Sequence, residues 1–502
     1  MQGIETDVIV VGGGPTGLML ACELALAGAG VIVLDRLPER TDQSKALNLQ
    51  PRTAEVLEQR GLLAMAQDRS LGNVGDGHFA GLPVVYDGWR TRHPYQVGIP
   101  QARVEEVLEE RLASYGIEVR RGHELTGFTQ DEDGVVATVQ GPDGELRLRA
   151  GYLAGCDGGR SAVRKALGVG FPGIDATEYG VVADVVLAEV PAAVPKRWTS
   201  MRDMLRPRGD RQLTAGLLPL GEPGLYRLAY RGENSKPEDP RAPVPQAELE
   251  AALLVAYDEE VTVSEVRWAS RFGNGSRQAE RYRVGRVLLA GDAAHVHAPA
   301  GGQGLNLGVQ DAMNLGWKLA AEIAGWAPPG LLDSYHDERH PVGARVLENT
   351  RAQGVLMDDG PGPFALRKVF AKLMEQPEVT RYLSGMVSGL DIRYPLDGAD
   401  HELLGARMPD VDLRVAGQDR QASSLLHHGH GVLLTTMARY GEAARPWAGR
   451  VDVVPVPELP GFDAAAVLVR PDGYVCWTAA TGDSPTEPVK RLEAALTGWF
   501  GV

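Results

Sequence analysis

Six residues near the N-terminus have the spacing of a phosphate cradle. Gly12-Gly13-Gly14-Pro15-Thr16-Gly17 directly follows the apolar run Asp7 to Val11 and opens a helical pattern. In a GxGxxG of this kind Gly12 permits the tight turn, Gly14 lets the backbone approach a pyrophosphate, and Gly17 allows close helix packing. Pro15 and Thr16 fall in the first helical turn, whose unpaired N–H groups and positive dipole attract phosphate oxygens. Asp35, with Arg36 beside it, ends a second apolar run, Val31 to Leu34, and offers a carboxylate to an adenosine ribose. Dinucleotide binding is the expected chemistry, and the motif alone does not separate NAD from FAD.

Two further signals follow in order. Asp157-Gly158 turns the chain after Tyr152-Leu153, inside Cys156-Asp157-Gly158-Gly159-Arg160-Ser161, with Arg164 downstream. Asp292 ends the apolar run Val287 to Ala290, where a carboxylate can hold ribitol hydroxyls. It leads into Pro299-Ala300-Gly301-Gly302-Gln303-Gly304-Leu305-Asn306, whose glycines let backbone touch a flat ring. A helix from Gly304 aims its N-terminus at that ring. Reduced flavin carries negative charge along its N1–C2=O edge, which such a terminus stabilises.

These signals need elements to hold them. Val8 to Val11, the glycine turn, a helix to about Ala27 and Val31 to Leu34 read as a βαβ unit. Val104, Val107, Leu108 and Leu112 predict an amphipathic helix from Gln101 to Ser114. Hairpins are expected at Asp133-Gly134 and Pro142-Asp143-Gly144. Alternating runs at 181–190 and 212–218, with a turn at Gly221 to Gly224, predict an inserted antiparallel sheet. A long helix is expected from Gly304 to Ile323. The last hundred residues follow the order of a thioredoxin-like module: a strand Gly431 to Thr435, a strand Val451 to Val456, a hairpin at Pro471-Asp472-Gly473 and a final helix. The expected fold is therefore α/β: a Rossmann-like FAD-binding domain with an inserted antiparallel substrate sheet and a C-terminal thioredoxin-like domain. The expected divisions are 1–171 and 271–395 for the nucleotide domain, 172–270 for the sheet and 396–502 for the module.

Other stretches extend the pattern: Leu49-Gln50-Pro51-Arg52-Thr53 with Glu55, Gln101 and Arg103, and Arg277 to Arg283. Gln310 to Leu315, Trp317 to Ala320, and Tyr335 with Glu338-Arg339-His340-Pro341 complete it. Together these resemble the group A flavoprotein monooxygenases, typified by para-hydroxybenzoate hydroxylase and phenol hydroxylase. Within that group the chain is similar over nearly its whole length to the aromatic polyketide hydroxylases of antibiotic pathways. The resemblance implies non-covalent FAD, NADPH or NADH as reductant, and O₂ passed to an electron-rich ring through a flavin C4a-hydroperoxide. It implies that Asp35 holds the adenosine ribose, that Gln101 and Asp292 approach the pyrophosphate or ribitol, and that Pro299 to Asn306 line the isoalloxazine. The Asp157-Gly158 turn serves FAD and reductant, and Arg52 and Pro299 are the catalytic candidates beside the ring. Asp35 departs from the glutamate that relatives often carry there; the shorter acid still reaches a ribose. Phe79, Tyr86, Trp89, Met204, Tyr226 and Tyr230 are the substrate-pocket candidates, with the stretch His78 to Pro83 favoured. A flavin Baeyer–Villiger oxygenase, a dehydrogenase on the same scaffold and a drug-sequestering flavoprotein are the alternatives.

Composition narrows the classes. The 502 residues carry a formal net charge of −15, which argues against nucleic acid or an anionic membrane surface as partner. No eighteen-residue apolar stretch predicts a spanning helix, and Glu5 and Asp7 argue against a signal peptide, so a cytoplasmic protein is expected. Cys22, Cys156 and Cys476 are far apart, with no CxxC. The pairs His295/His297 and His336/His340 and the run His427, His428, His430 lack further ligands, so no metal is expected. The C-terminal module, without a redox cysteine pair, is expected to shield the nucleotide domain or support a homodimer.

Overall fold

The computed structural model describes residues 5–199, 215–231, 239, 242–358, 360–398, 401–482 and 486–502. Met204, one of the pocket candidates, lies outside them.

Val8, Ile9 and Val10 are fully enclosed because Thr6–Val11 is a central strand covered on both faces. Five strands run parallel in the order Val287–Leu289, Gly144–Gly155, Thr6–Val11, Val31–Asp35 and Val119–Arg121. The twelve-residue strand Gly144–Gly155 serves two purposes. Its first half pairs antiparallel with Val135–Gly141, which pairs with Glu124–Gln130, and its second half enters the parallel sheet. Helices Pro15–Leu26 and Gly304–Ile323 lie against one another. A Cβ on Gly316 would come 2.4 Å from the Glu23 Cβ, so that glycine sets how closely the two helices approach.

The inserted sheet is antiparallel, in the order Ala215–Pro219, Leu225–Arg231, Tyr179–Leu187 and Val263–Gly273. Successive strand side chains point to opposite faces. Val181, Ala183, Val185, Leu217, Tyr226, Leu228 and Tyr230 therefore share one face and pack on Leu249 and Leu253 of helix Gln246–Tyr257. Asp184, Leu218 and Arg227 fall on the other face. There Leu218 meets Leu47, and Arg227 donates to the Ser44 carbonyl.

The C-terminal sheet runs Val451–Pro455, Gly431–Thr435, Ala466–Val469, Val475–Ala479, the first pair parallel and the others antiparallel. With helix Glu487–Phe500 burying Leu492, Leu496 and Phe500, this is the thioredoxin arrangement. Cys476 is buried in it as a free thiol. Among the described residues no helix is long and apolar enough to cross a membrane.

Candidate cofactor cleft and its surroundings

Because four neighbouring strands are parallel, their C-terminal ends share one edge of the sheet. Gly12, Asp35, Asp157 and Gly291 follow or end those strands. Open α/β sheets bind ligands at such an edge. The Gly12 N–H donates to the Leu34 carbonyl at 2.7 Å, and Gly12 has φ +112°. A Cβ on it would sit 2.3 Å from the Cys156 carbonyl oxygen, and one on Gly17 would sit 2.0 Å from the Gly12 carbonyl oxygen. Gly14 differs: its φ is −85° and a Cβ there would meet nothing within 4 Å. Helix Pro15–Leu26 begins at Gly14 without a side-chain cap, leaving first-turn N–H groups for a ligand. Asp35 braces this turn, its Oδ2 accepting from the Gly13 N–H at 2.8 Å and its Oδ1 from the Leu37 N–H at 2.9 Å. Arg36 beside it is exposed.

Asp157 Oδ2 accepts from the Ala162 and Val163 N–H groups, while its Oδ1 is buried without a partner. Gly158, at φ +78°, has open space where a Cβ would stand. Arg164 ties this turn to the third motif, donating to the Gly159 and Ala293 carbonyls. Thr16 joins the first motif to the third: its Oγ1 would lie 2.6 Å from a Cβ on Gly291 and 2.2 Å from one on Gly308. Asp292 is exposed, and its Oδ1 stands 3.9 Å from the Cβ position of Gly304. The acid and the start of the long helix thus meet. That helix also lacks a side-chain cap, so its N-terminal donors remain open. An orphaned carboxylate oxygen, two uncapped helix starts and glycines facing open space fit a dinucleotide cofactor.

The loop from Pro299 is held from behind. Pro299 is exposed; Gly301 and Gly302 adopt φ +73° and +62°. Leu305, in the first turn of the helix, packs partly buried against the nucleotide-domain core. The Gln50 side chain donates to the Gly301 carbonyl at 2.7 Å, and Asn306 donates to the Gly302 carbonyl at 2.8 Å. Gln303 turns away, accepting from Asn349, which accepts from Gln353, which in turn accepts from the Ala80 N–H.

Residues 5–350 match the FAD binding domain family, and residues 401–502 match the aromatic-ring hydroxylase C-terminal family. The chain is 47% identical over 505 residues to the 12-dehydrotetracycline 5-monooxygenase/anhydrotetracycline 6-monooxygenase of Streptomyces rimosus subsp. rimosus, across 99% of both chains. It is 46% identical over 497 residues to a rifampicin monooxygenase of Streptomyces venezuelae, across 99% of this chain and 98% of that one. Its structure superposes on the anhydrotetracycline hydroxylase of Streptomyces rimosus with a TM-score of 0.89, at 46% identity and 99% coverage of each. The chain belongs to the FAD-dependent aromatic-ring hydroxylases. It is a group A flavoprotein monooxygenase that uses FAD and takes its electrons from NAD(P)H.

Around this hydroxylase's cleft the other candidates divide. Gln101 opens its helix as expected, with Oε1 3.4 Å from the Ala46 N–H and Nε2 donating to Glu105. Tyr86 is fully buried, and its hydroxyl bonds Gln50 and Gln96 beside the Gly301 loop. Phe79 stacks on Phe370, and Trp89 donates to Ser384 under the Arg381 guanidinium, so both pack against two helices, Pro361–Leu373 and Pro377–Ser388. Tyr226 and Tyr230 lie apart from the other candidates. They sit on the sheet face turned to helix Gln246–Tyr257, where Tyr230 donates to Glu248, and not on the face that meets the FAD-binding domain.

Arg52 is buried, with both Nη groups engaged inside the protein and its Nε without a partner. Its guanidinium pairs with Glu55, donates to the Asp472 carbonyl and lies 5.0 Å from the Tyr474 ring centroid. Arg60 likewise pairs with Glu23 and donates to the Pro471 carbonyl. These bonds dock the Pro471–Gly473 turn of the C-terminal domain. Beneath it, Arg470 bridges Glu338 and Asp472, and Glu338 also receives Lys318 and Asn314. Burial works against charge on Glu338, but Arg470 and Lys318 outweigh it and hold the carboxyl down at about 2. Burial pulls Lys318 down to about 8 despite Glu338. Of the histidines, His295 Nε2 lies 2.7 Å from Asp311, which Arg339 also contacts, while its Nδ1 is buried without a partner, and His427 bonds the Glu58 carbonyl.

Proposed function

We propose that this hydroxylase oxygenates a polycyclic aromatic polyketide in antibiotic biosynthesis, adding one atom of O₂ to an electron-rich phenolic ring. The observation that carries this is the 47% identity, across 99% of both chains, to an enzyme named for two tetracycline precursors. FAD, when bound, would supply the redox chemistry that couples NAD(P)H and O₂ to the substrate. The protein's part is to bind, orient and exclude water. Gly14 and the uncapped helix starts receive the pyrophosphate, Asp35 and Asp292 the sugar hydroxyls, and residues 299–306 the ring. Leu47, Trp198, Leu218 and Leu220 form an apolar cluster between the inserted sheet and the FAD-binding domain. That cluster suits a flat, apolar substrate and keeps the reacting atoms dry. We assign Arg52 a positioning role, since its Nη2 donates to the Asp472 carbonyl of the C-terminal domain and its Nη1 to Glu55 on its own helix. The unpaired cysteines Cys22, Cys156 and Cys476 suit a cytoplasmic enzyme.

The test is turnover of FAD-loaded protein with NAD(P)H, ¹⁸O₂ and a panel of tetracyclic and angucycline-type phenols. A product carrying one labelled oxygen on an aromatic ring is expected, with substrate-stimulated NAD(P)H consumption. Label inserted next to a ketone as an ester would make the enzyme a Baeyer–Villiger oxygenase. Binding without labelled product would refute oxygenation of this class.

A further inference from the structure

Gln50 caps helix Pro51–Glu58 from a fully buried position, and every part of it is engaged. Its backbone N–H donates to Asn306 Oδ1 at 2.7 Å. Its Nε2 donates to the Gly301 carbonyl at 2.7 Å. Its Oε1 receives the Tyr86 hydroxyl at 3.2 Å and Gln96 Nε2 at 3.3 Å, and Gln96 also donates to Tyr86 at 2.9 Å. Two donors on Oε1 fix which way the amide points, so the Nε2 must face Gly301. Asn306, anchored on Gln50, gives its own amide to the Asn48 and Gly302 carbonyls.

Two consecutive carbonyls are thus drawn to the same set of side chains. In a planar trans peptide the C=O and the following N–H point in opposite directions. Holding the Gly302 carbonyl against Asn306 therefore turns the Gln303 N–H the other way, continuous with the uncapped first turn of helix Gly304–Ile323. Left alone, two glycines with positive φ would sample several peptide orientations.

We propose that Gln50, oriented by Tyr86 and Gln96, is a positioning residue that aims the 303–305 N–H groups at the flavin and so sets its reduction potential. This rests on the FAD reading above. N–H groups aligned on the ring stabilise the anion that reduction creates more than the neutral oxidised ring. Loosening the loop then favours oxidised flavin.

The experiment measures the two-electron midpoint potential and the FAD dissociation constant of the parent, Gln50→Leu and Tyr86→Phe. Gln50→Leu should bind FAD yet weaken the preference for reduced flavin roughly tenfold, a midpoint about 30 mV more negative. Tyr86→Phe, which removes one of the two donors on Oε1, should move it the same way by a smaller amount. If Gln50→Leu does not fold, Tyr86→Phe decides alone. FAD-loaded variants with the parent's potential would overturn the assignment while leaving the FAD reading intact. Failure of the parent itself to bind FAD would instead remove the reading on which it stands.

Discussion

At Gly12 a Cβ would overlap the Cys156 carbonyl, whereas at Gly14 it would meet only open space. The first glycine serves the fold and the second serves whatever fills that space. Asp292 is likewise free of any fold-related bond and faces the helix start at Gly304. Asp292→Ala should therefore leave thermal stability alone and weaken FAD binding by about 1–3 kcal/mol, read by fluorescence titration. Glu105, beside Gln101, behaves differently. Burial pushes its carboxyl up to about 7, with the Gln101 bond opposing. Between pH ~4.5 and ~7 the folded state holds a proton that the unfolded chain has released, so stability falls as pH rises through that window. Glu105→Gln should raise stability at pH 8 by on the order of 2 kcal/mol and give no gain at pH 4.5, measured by denaturant unfolding. The three cofactor motifs were legible in the sequence because backbone approach needs glycine and a strand end needs an acid. Gln96 carries no such signal, since nothing in its neighbourhood says that it will meet Gln50.

Among the elements, Gln101–Ser114 and Gly304–Ile323 appear with the bounds their apolar periodicity predicts. Helix Gln246–Tyr257 was not anticipated, because Leu254 and Val255 are exposed on its outer side and blur the stripe made by Leu249 and Leu253. Helix Pro361–Leu373 was not anticipated either; its inner side, with Phe364 and Phe370, is only partly buried. The inserted sheet was legible as strands but not as faces. One residue of parity separates Tyr226, which packs on the helix, from Arg227, which meets the FAD-binding domain. Tyr226→Phe should accordingly leave substrate KM unchanged. Arg227→Ala abandons buried Asp184 and the Ser44 carbonyl, and should cost about 3–5 kcal/mol in unfolding free energy.

Across the whole molecule, conserving the charge network under the Pro471–Gly473 turn matters more than any single contact there. Glu338 joins Lys318 and Asn314 of the long helix to Arg470 of the C-terminal domain. Its depressed carboxyl contributes stability that is complete above pH ~4.5 and lost as pH falls towards ~2. Glu338→Gln should destabilise by about 3–5 kcal/mol at pH 7, and by much less near pH 3, in parallel unfolding titrations. The sequence could not show this docking, because no residue type or spacing marks Glu338, Arg470 and Asp472 as one another's partners. It did show that separate segments would converge on one cofactor, and Gly14→Val examines that most directly. A Cβ at position 14 meets no protein atom and the backbone there suits any residue, so the apoprotein should keep the parent's melting temperature. Its FAD affinity should fall by about 3 kcal/mol, roughly 100-fold in Kd. A Gly14→Val protein that bound FAD with the parent's affinity would contradict the account.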